Sequence, residues 1–284
     1  MKLLQRPKVG LALSGGSAKG FAHIGVIKEL ERAGIPIDYI AGTSMGALVG
    51  AFYAAHKNVE EMEKVANTID KKRLLKLIDP TFRGGFITGN KVSEFLETHL
   101  GKTRFEDCLI PLKIVTTDIK TGTAVIFQSG ELIPAIRGSI SLPLIFTPLE
   151  HQGLLLTDGG LSVPLPSRIV RDMGADIVIA VNVLARTHIT GSEQVKGVRG
   201  LFDMANISIG ILTRNLAKHD SDQADILIEP DVSSYGSYQF DKAPQFIEVG
   251  SNAAKEMAPK IETLVTSREP PLLRLKKYIQ ELVS

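Results

Sequence analysis

Two serines and an aspartate lie among glycines in a way that suits acyl-transfer chemistry. Gly42-Thr43-Ser44-Met45-Gly46 fits the pattern Gly-x-Ser-x-Gly. Between a strand and a helix, that pattern forms a sharp turn that exposes the serine hydroxyl as a nucleophile. A helix beginning at Met45 directs its positive end toward any oxyanion formed there. Taken alone the match is weak, because a serine capping a helix in a strand–helix turn explains it as well. The run Gly15-Gly16-Ser17-Ala18-Lys19-Gly20 shifts the balance. It fails the phosphate-loop pattern, since Phe21 stands where lysine would follow the last glycine, and it fails Gly-x-Gly-x-x-Gly at the third position. What remains is a series of small residues whose backbone N–H groups can converge on an anion, as an oxyanion hole requires. Lys19 is read first as a solvated first-turn side chain, the common state of a lysine.

A serine nucleophile needs a base, and the order Ser, acid, His of the α/β-hydrolases fits poorly. The histidines beyond Asp158, His188 and His219, fall in polar or helical surroundings. His23 and His56 sit on predicted helices, His99 near a helix end and His151 in a turn, and each reads as structural or superficial. Asp158-Gly159-Gly160 is the better candidate, an acid ending an apolar run with two glycines that allow another loop to approach. Partial desolvation raises a carboxylate's basicity, so it could take the serine proton directly and return it to a leaving alcohol. An aspartate that merely bonds to its own turn is an equally good reading of these residues.

The elements that would position these groups follow from the apolar pattern. Val9 to Leu13 predicts a buried strand running into Ser14-Gly15-Gly16. From Phe21, Ile24, Ile27 and Leu30 recur at helical spacing, with Gly34 as the stop and Pro36 beyond it. Ile37 to Ala41 predicts a second strand and Met45 to Ala55 a second helix. This β–α–β–α order implies parallel strands joined by a right-handed crossover. Both glycine-containing loops then open at the carboxyl ends of neighbouring strands, where open α/β sheets hold ligands. Val59 to Leu100 reads as helix-rich, with Asn90 as an N-cap and Gly101 as a stop. The interruption at 80–89 is a loop whose Phe82, Phe86 and Ile87 suit a lid or a surface loop tucked into the core equally well. Further strands are expected at Leu112 to Ile119, Thr123 to Phe127 and Leu154 to Thr157. Asp176 to Val183 is expected to complete the sheet. The remainder predicts helices at Leu201 to His219, Pro244 to Val265 and Leu272 to Val283, and a strand at Ile226 to Ile228.

Composition narrows the function classes. The chain has 284 residues, with 33 basic against 31 acidic, a net charge of +2. That is too small to support binding to nucleic acid by charge. The single cysteine, Cys108, excludes an internal disulfide and multi-cysteine metal sites, and a reducing compartment is the simpler reading. The apolar run after Pro7 is too short for a secretory signal, so a cytoplasmic protein is expected. Tyr39 to His56 carries no formal charge, but Gly-Thr-Ser-Met-Gly breaks it, so it reads as strand, turn and buried helix rather than a membrane span.

Five motifs in order carry a family resemblance: Ser14 to Gly20, Gly42 to Gly46, Thr117-Asp118-Ile119-Lys120-Thr121-Gly122, Ala135-Ile136-Arg137-Gly138-Ser139 with Pro143 and Phe146, and Asp158 to Gly160. Together they resemble the patatin-like phospholipases, from Val9 to about Val183, with the small single-domain bacterial members nearest in character. The resemblance implies an α/β fold, a mainly parallel central sheet flanked by helices in a three-layer sandwich. The catalytic domain would span 5–266, and 267–284 would form an amphipathic helix packed on or near it. The resemblance further implies a Ser–Asp dyad without histidine, Ser44 as nucleophile and Asp158 as base, with Gly15, Gly16 and Ser17 as the oxyanion loop. Ser17 departs from a loop that commonly has a third glycine, which puts the local backbone geometry in question. Asp118 and Arg137 read as supporting residues. The implied activity is hydrolysis of fatty acyl esters, such as those of phospholipids, with no cofactor and no metal. An acyltransferase with the same dyad and a silent lipid-binding regulator are the alternatives. Leu272, Leu275, Ile279 and Leu282 form a stripe beside Arg274, Lys276 and Lys277; packing onto the domain is favoured for it, transient contact with a membrane surface being the other use. No oligomeric state is specified.

Overall fold

The computed structural model describes residues 5–81, 85–185, 200–271 and 273. In chain order the elements are β1 (Val9–Leu13), α1 (Ala22–Arg32), β2 (Tyr39–Thr43), α2 (Met45–His56), α3 (Val59–Asn67), α4 (Lys71–Lys76) and α5 (Asn90–Leu100). There follow β3 (Leu112–Asp118), β4 (Ala124–Phe127), α6 (Leu132–Ser139), β5 (Leu149–His151), β6 (Leu154–Asp158) and α7 (Ser167–Asp172). The chain continues through β7 (Ile177–Val181), α8 (Leu201–Asp220), β8 (Ile226–Ile228) and α9 (Ala243–Arg268).

All eight strands form one sheet in the order β5-β6-β3-β2-β1-β7-β8, with β4 also paired to β3. From β8 through β7, β1 and β2 to β3 every pairing is parallel. The β3–β4, β3–β6 and β5–β6 pairings are antiparallel. The expected parallel centre is therefore present, with an antiparallel flank. β7 does not complete the sheet; it lies beside β1, and β8 takes the edge.

Alternation along the central strands sorts side chains into two layers. Val9, Leu11 and Leu13 of β1 and Ile177, Ile179 and Val181 of β7 join the larger core with the apolar faces of α1, α2, α5, α6 and α9. Ala12, Val178 and Ala180 point the other way, onto Leu165, Ile169 and Val170 around α7 and Ala217 of α8. Both faces of the sheet are thus covered, which is why β1 and β7 are apolar throughout. Each fully buried Leu, Ile or Val there contributes about 1.5–3 kcal/mol relative to exposure.

Several boundaries differ from expectation. β2 runs to Thr43 rather than ending at Ala41, because its pairing with β3 continues to Thr43 opposite Val115. Gly89, not Asn90, is the N-cap of α5. The capping acceptor comes from Asp79, whose carboxylate takes the N–H groups of Gly89 and Asn90 at 2.8 and 2.7 Å. His151 ends β5 instead of lying in a turn. The expected membrane-span mimic at 39–56 is β2, a turn and α2, and no helix among the described residues is long and apolar enough to cross a membrane. The helix expected at Leu272 to Val283 falls almost wholly outside the described residues.

Candidate active site

One strand acts as the ruler that brings the predicted nucleophile and acid together. On β3, Val115 pairs with Thr43 of parallel β2, and the next residue, Thr116, pairs with Asp158 of antiparallel β6. The carboxyl ends of β2 and β6 therefore meet head to head. Ser44 Oγ donates a hydrogen bond to Asp158 Oδ2 at 2.6 Å, across 114 positions of chain.

The turn at Ser44 is tight enough to demand its glycines. Ser44 has φ 52° and ψ −123°, a backbone state that L-residues rarely adopt. A Cβ on Gly42 would lie 2.4 Å from the carbonyl oxygen of Gly46, and one on Gly46 would lie 2.4 Å from that of Leu13. The strained turn is held by a relay that links it to the sheet. The Ser44 N–H donates to Ser139 Oγ at 2.8 Å, and Ser139 Oγ–H donates to the Val115 carbonyl at 2.6 Å.

Asp158 is buried, and burial pushes its carboxyl up to about 6, against the pull of the hydrogen bonds from Ser44 and Gly160. Its second oxygen, Oδ1, accepts the Gly160 N–H at 2.7 Å. Asp158 thus makes both contacts at once: one oxygen faces its own turn and the other faces Ser44. A carboxylate held by a single amide and one hydroxyl keeps the raised basicity that proton abstraction at neutral pH calls for.

The glycine-rich loop leaves β1 beside this pair. A Cβ on Gly15 would lie 3.4 Å from Ser44 Cβ, so the two turns are in contact. The Gly15 N–H is engaged by the Pro164 carbonyl at 3.0 Å, and the Ala18 N–H by Ser237 at 3.0 Å. Between these anchors, the N–H groups of Gly16 and Ser17 have no acceptor among the described residues. Gly15 therefore stands as an anchor of the loop rather than a free donor. Ser17 takes φ 49°, so the position where a third glycine is common keeps a left-handed backbone despite its side chain. His23 lies beneath the loop, wholly buried, with Nε2 2.8 Å from the Ser14 carbonyl. Burial holds its imidazole down at about 4, so it is neutral and donates this hydrogen bond.

Lys19 corrects an expectation. It is only 4% exposed, and burial, with the neighbouring Arg214 charge, lowers its ammonium to about 8. The short loop folds back as a helical turn over 17–21 and carries the side chain inward.

Two cavities meet at Ser44. One, of about 370 Å³, is walled by apolar side chains including Phe21, Met45, Leu48, Leu77 and Phe146. The other, of about 340 Å³, holds Gly16, Lys19, Asp158, Asn206 and Arg214. Ser17, Ser44, Leu142 and Tyr238 border both, and Tyr238 Oη donates to Asn206 at 3.1 Å. No histidine among the described residues lines either cavity; His188 lies outside those residues. Among the described residues no group of three or more His, Cys, Asp or Glu side chains is arranged to hold a metal ion.

Ile87, Ile140 and Ile145 line the apolar cavity, whereas Phe86 projects outward, 55% exposed. Asp118 accepts from the Lys120 N–H and the Thr121 hydroxyl in the turn between β3 and β4. Arg137, buried beside the Phe146 ring, donates to Ser141 and to the carbonyls of Thr88 and Thr147. It ties α6 to two loops that form one cavity wall. Ser139 was not singled out from the sequence as a site residue, although it closes one of the recurrent motifs; only the register of β3 reveals it as the partner of the Ser44 amide.

Residues 11–170 match the family described as Patatin-like phospholipase. An uncharacterized NTE family protein of Mycobacterium tuberculosis is 40% identical over 62% of this chain and 49% of its own length. A lysophospholipase of Neosartorya fischeri is 28% identical over 97% of this chain but 20% of its own length. The chain thus spans about half the length of the mycobacterial relative and a fifth of the fungal one. Among solved structures, VipD from Legionella pneumophila has the same fold, with a TM-score of 0.50 and 13% identity over 90% of this chain and 67% of VipD. With its five ordered motifs, its two-layered α/β core and a profile match across more than half its length, the chain belongs to the patatin-like phospholipase family.

Proposed function

We propose that this protein hydrolyses fatty acyl esters of lipids through an acyl-serine intermediate formed by Ser44, with Asp158 as its base. The observation that carries this reading is the 2.6 Å hydrogen bond from Ser44 Oγ to Asp158 Oδ2 at the junction of an apolar and a polar cavity. In the first half-reaction Ser44 Oγ attacks the ester carbonyl carbon while its proton passes to Asp158. The oxyanion is met by the N–H groups of Gly16 and Ser17 and by the amino end of α2; each such donor is worth about 2.7–4 kcal/mol of barrier. Gly15 serves by fixing the loop through Pro164. The tetrahedral intermediate collapses, the alkoxide leaves with the proton from Asp158, and the acyl group remains on Ser44. In the second half-reaction Asp158 takes a proton from water, which attacks the acyl carbon; the second tetrahedral intermediate collapses, Ser44 Oγ leaves with the proton from Asp158, and the fatty acid is released. The apolar cavity suits the acyl chain and the cavity with Lys19 and Arg214 suits the polar portion of the substrate.

The test has two arms. A fluorophosphonate probe should add to Ser44, located by mass spectrometry, and Asp158→Asn should suppress labelling. A series of p-nitrophenyl esters should favour long chains, and lipids should be cleaved. No adduct on folded protein overturns the nucleophile. Preference for acetyl esters with no lipid cleavage overturns the lipid substrate.

A further inference from the structure

The mouth of the apolar cavity has a rim whose chemistry the reaction does not use. Helix α4 and its flanks read Lys71-Lys72-Arg73-Leu74-Leu75-Lys76-Leu77-Ile78. Leu74, Leu77 and Ile78 line the cavity. Leu75 is instead 67% exposed, between the exposed Lys72, Arg73 and Lys76. Two loops continue this rim. The Phe86 and Ile87 N–H groups donate to the Ile145 carbonyl at 3.0 and 2.9 Å, and the Thr81 N–H to Phe86 at 2.8 Å. Phe86 and Leu144 project outward from this pairing. Large apolar side chains at 37–67% exposure are costly in water, and each of these adjoins in the chain a residue that lines the apolar cavity, Leu74, Ile87 and Ile145.

Charge says what covers them. The acids that bracket α4 are turned to backbone amides: Asp70 caps Arg73 N at 2.7 Å, and Asp79 takes the N–H groups of Gly89, Asn90 and Lys91 together with the Thr88 hydroxyl. Lysines 72 and 76 and Arg73 have no such engagement of their charged groups among the hydrogen bonds and ion pairs of the described residues, so the rim presents cations beside Leu75. Basic side chains flanking exposed leucine and phenylalanine are the composition that binds an anionic lipid interface, each cation adding to the attraction and each apolar side chain entering the acyl boundary.

We propose that the rim formed by α4, Phe86 and Leu144 docks on the surface of an anionic lipid bilayer, with the apolar cavity opening toward the acyl chains. This rests on the reading that the cavity takes a lipid acyl chain, and the test separates the two. The full chain carrying Ser44→Ala, which leaves vesicles intact, is sedimented with vesicles of phosphatidylcholine alone or with phosphatidylglycerol added. Binding should need the anionic lipid and weaken as salt rises. Lys72→Gln with Lys76→Gln should weaken it about 30-fold, at roughly fivefold per cation. Leu75→Gln should weaken it as well. In the chain that retains Ser44, the same substitutions should leave turnover of a soluble p-nitrophenyl ester unchanged, which also shows that the protein is folded. Equal binding to both vesicle types, no binding, or binding untouched by these substitutions overturns the proposal, as does self-association that Leu75→Gln abolishes. Vesicle binding with no ester turnover leaves docking standing and removes the enzymatic reading; turnover with no docking does the reverse.

Discussion

Two serines, Ser44 directly after β2 and Ser17 four residues after the end of the neighbouring parallel strand β1, share nearly the same unusual φ, 52° and 49°. Their surroundings differ in what they require. Around Ser44 the backbone is closed by Gly42 and Gly46 and its N–H is held by Ser139, while the hydroxyl reaches Asp158. At Ser17 neither the hydroxyl nor the backbone N–H has a hydrogen-bond partner among the described residues, and the residue borders both cavities. In the proposed mechanism one turn aims a side chain and the other an amide. Glycine is therefore ruinous at the first position and natural at the second.

The strongest way to break that contrast is to remove the hydroxyl. Ser44→Ala or Ser44→Gly should lower esterase turnover by at least about 10⁴-fold, since the members of such a unit fail together. Turnover within tenfold of the parent in a purified, folded variant would put the nucleophile elsewhere.

The acid sharpens the contrast through pH. With Asp158 raised to about 6, kcat/KM should rise about tenfold per pH unit below 6 and level off above it, because the base works ionised. The stability consequence has the opposite slope. Between the unfolded value of 3.8 and about 6, the folded state keeps a proton that the unfolded chain has lost, so this group's stabilisation declines as pH rises through that window. Asp158→Asn should therefore be inactive yet more stable than the parent at pH 8, by up to about 3 kcal/mol. Asp220, also raised to about 6 by burial, contributes a slope of the same sign to both proteins and cancels in the difference. Thermal denaturation at pH 4 and pH 8 reads the effect, and equal stability at pH 8 would deny the burial cost.

Smaller effects lie in the backbone. Gly46→Ala places a Cβ against the Leu13 and Ser14 carbonyls at 2.4 and 2.5 Å, and should destabilise by about 1–3 kcal/mol in chemical denaturation. Ser17→Gly should be the mildest, keeping turnover within about threefold and raising stability by about 1 kcal/mol or less, since relief of the left-handed backbone is partly offset by a freer unfolded chain. A large loss of turnover on Ser17→Gly would assign a duty to that hydroxyl and erase the distinction between the two turns.

Local patterns were enough to find the strand–turn–helix around Ser44 and the acid at Asp158, because both depend on short-range signals: apolar runs, glycines and a helix start. The antiparallel flank was less legible. Nothing in Leu154 to Asp158 states its direction, and that direction is what turns Asp158 toward Ser44. Lys19 was illegible for a related reason, since the Arg214 charge of α8 lies near it and Ser237 holds the N–H of Ala18 beside it, residues some two hundred positions away. The cap of α5 likewise came from Asp79, a contact that adjacent residues could not announce.

The meeting of two chambers at Ser44 would, in the proposed reaction, govern the order of departures. With an acyl group tethered in the greasy chamber, the alcohol half would withdraw through the other without dislodging it. Whatever enters next would arrive by that same vacated passage, which on this proposal hands the choice of acceptor to the residues around Arg214 rather than to the dyad. A protein of this design could change its product by altering one vestibule while leaving its reactive atoms untouched.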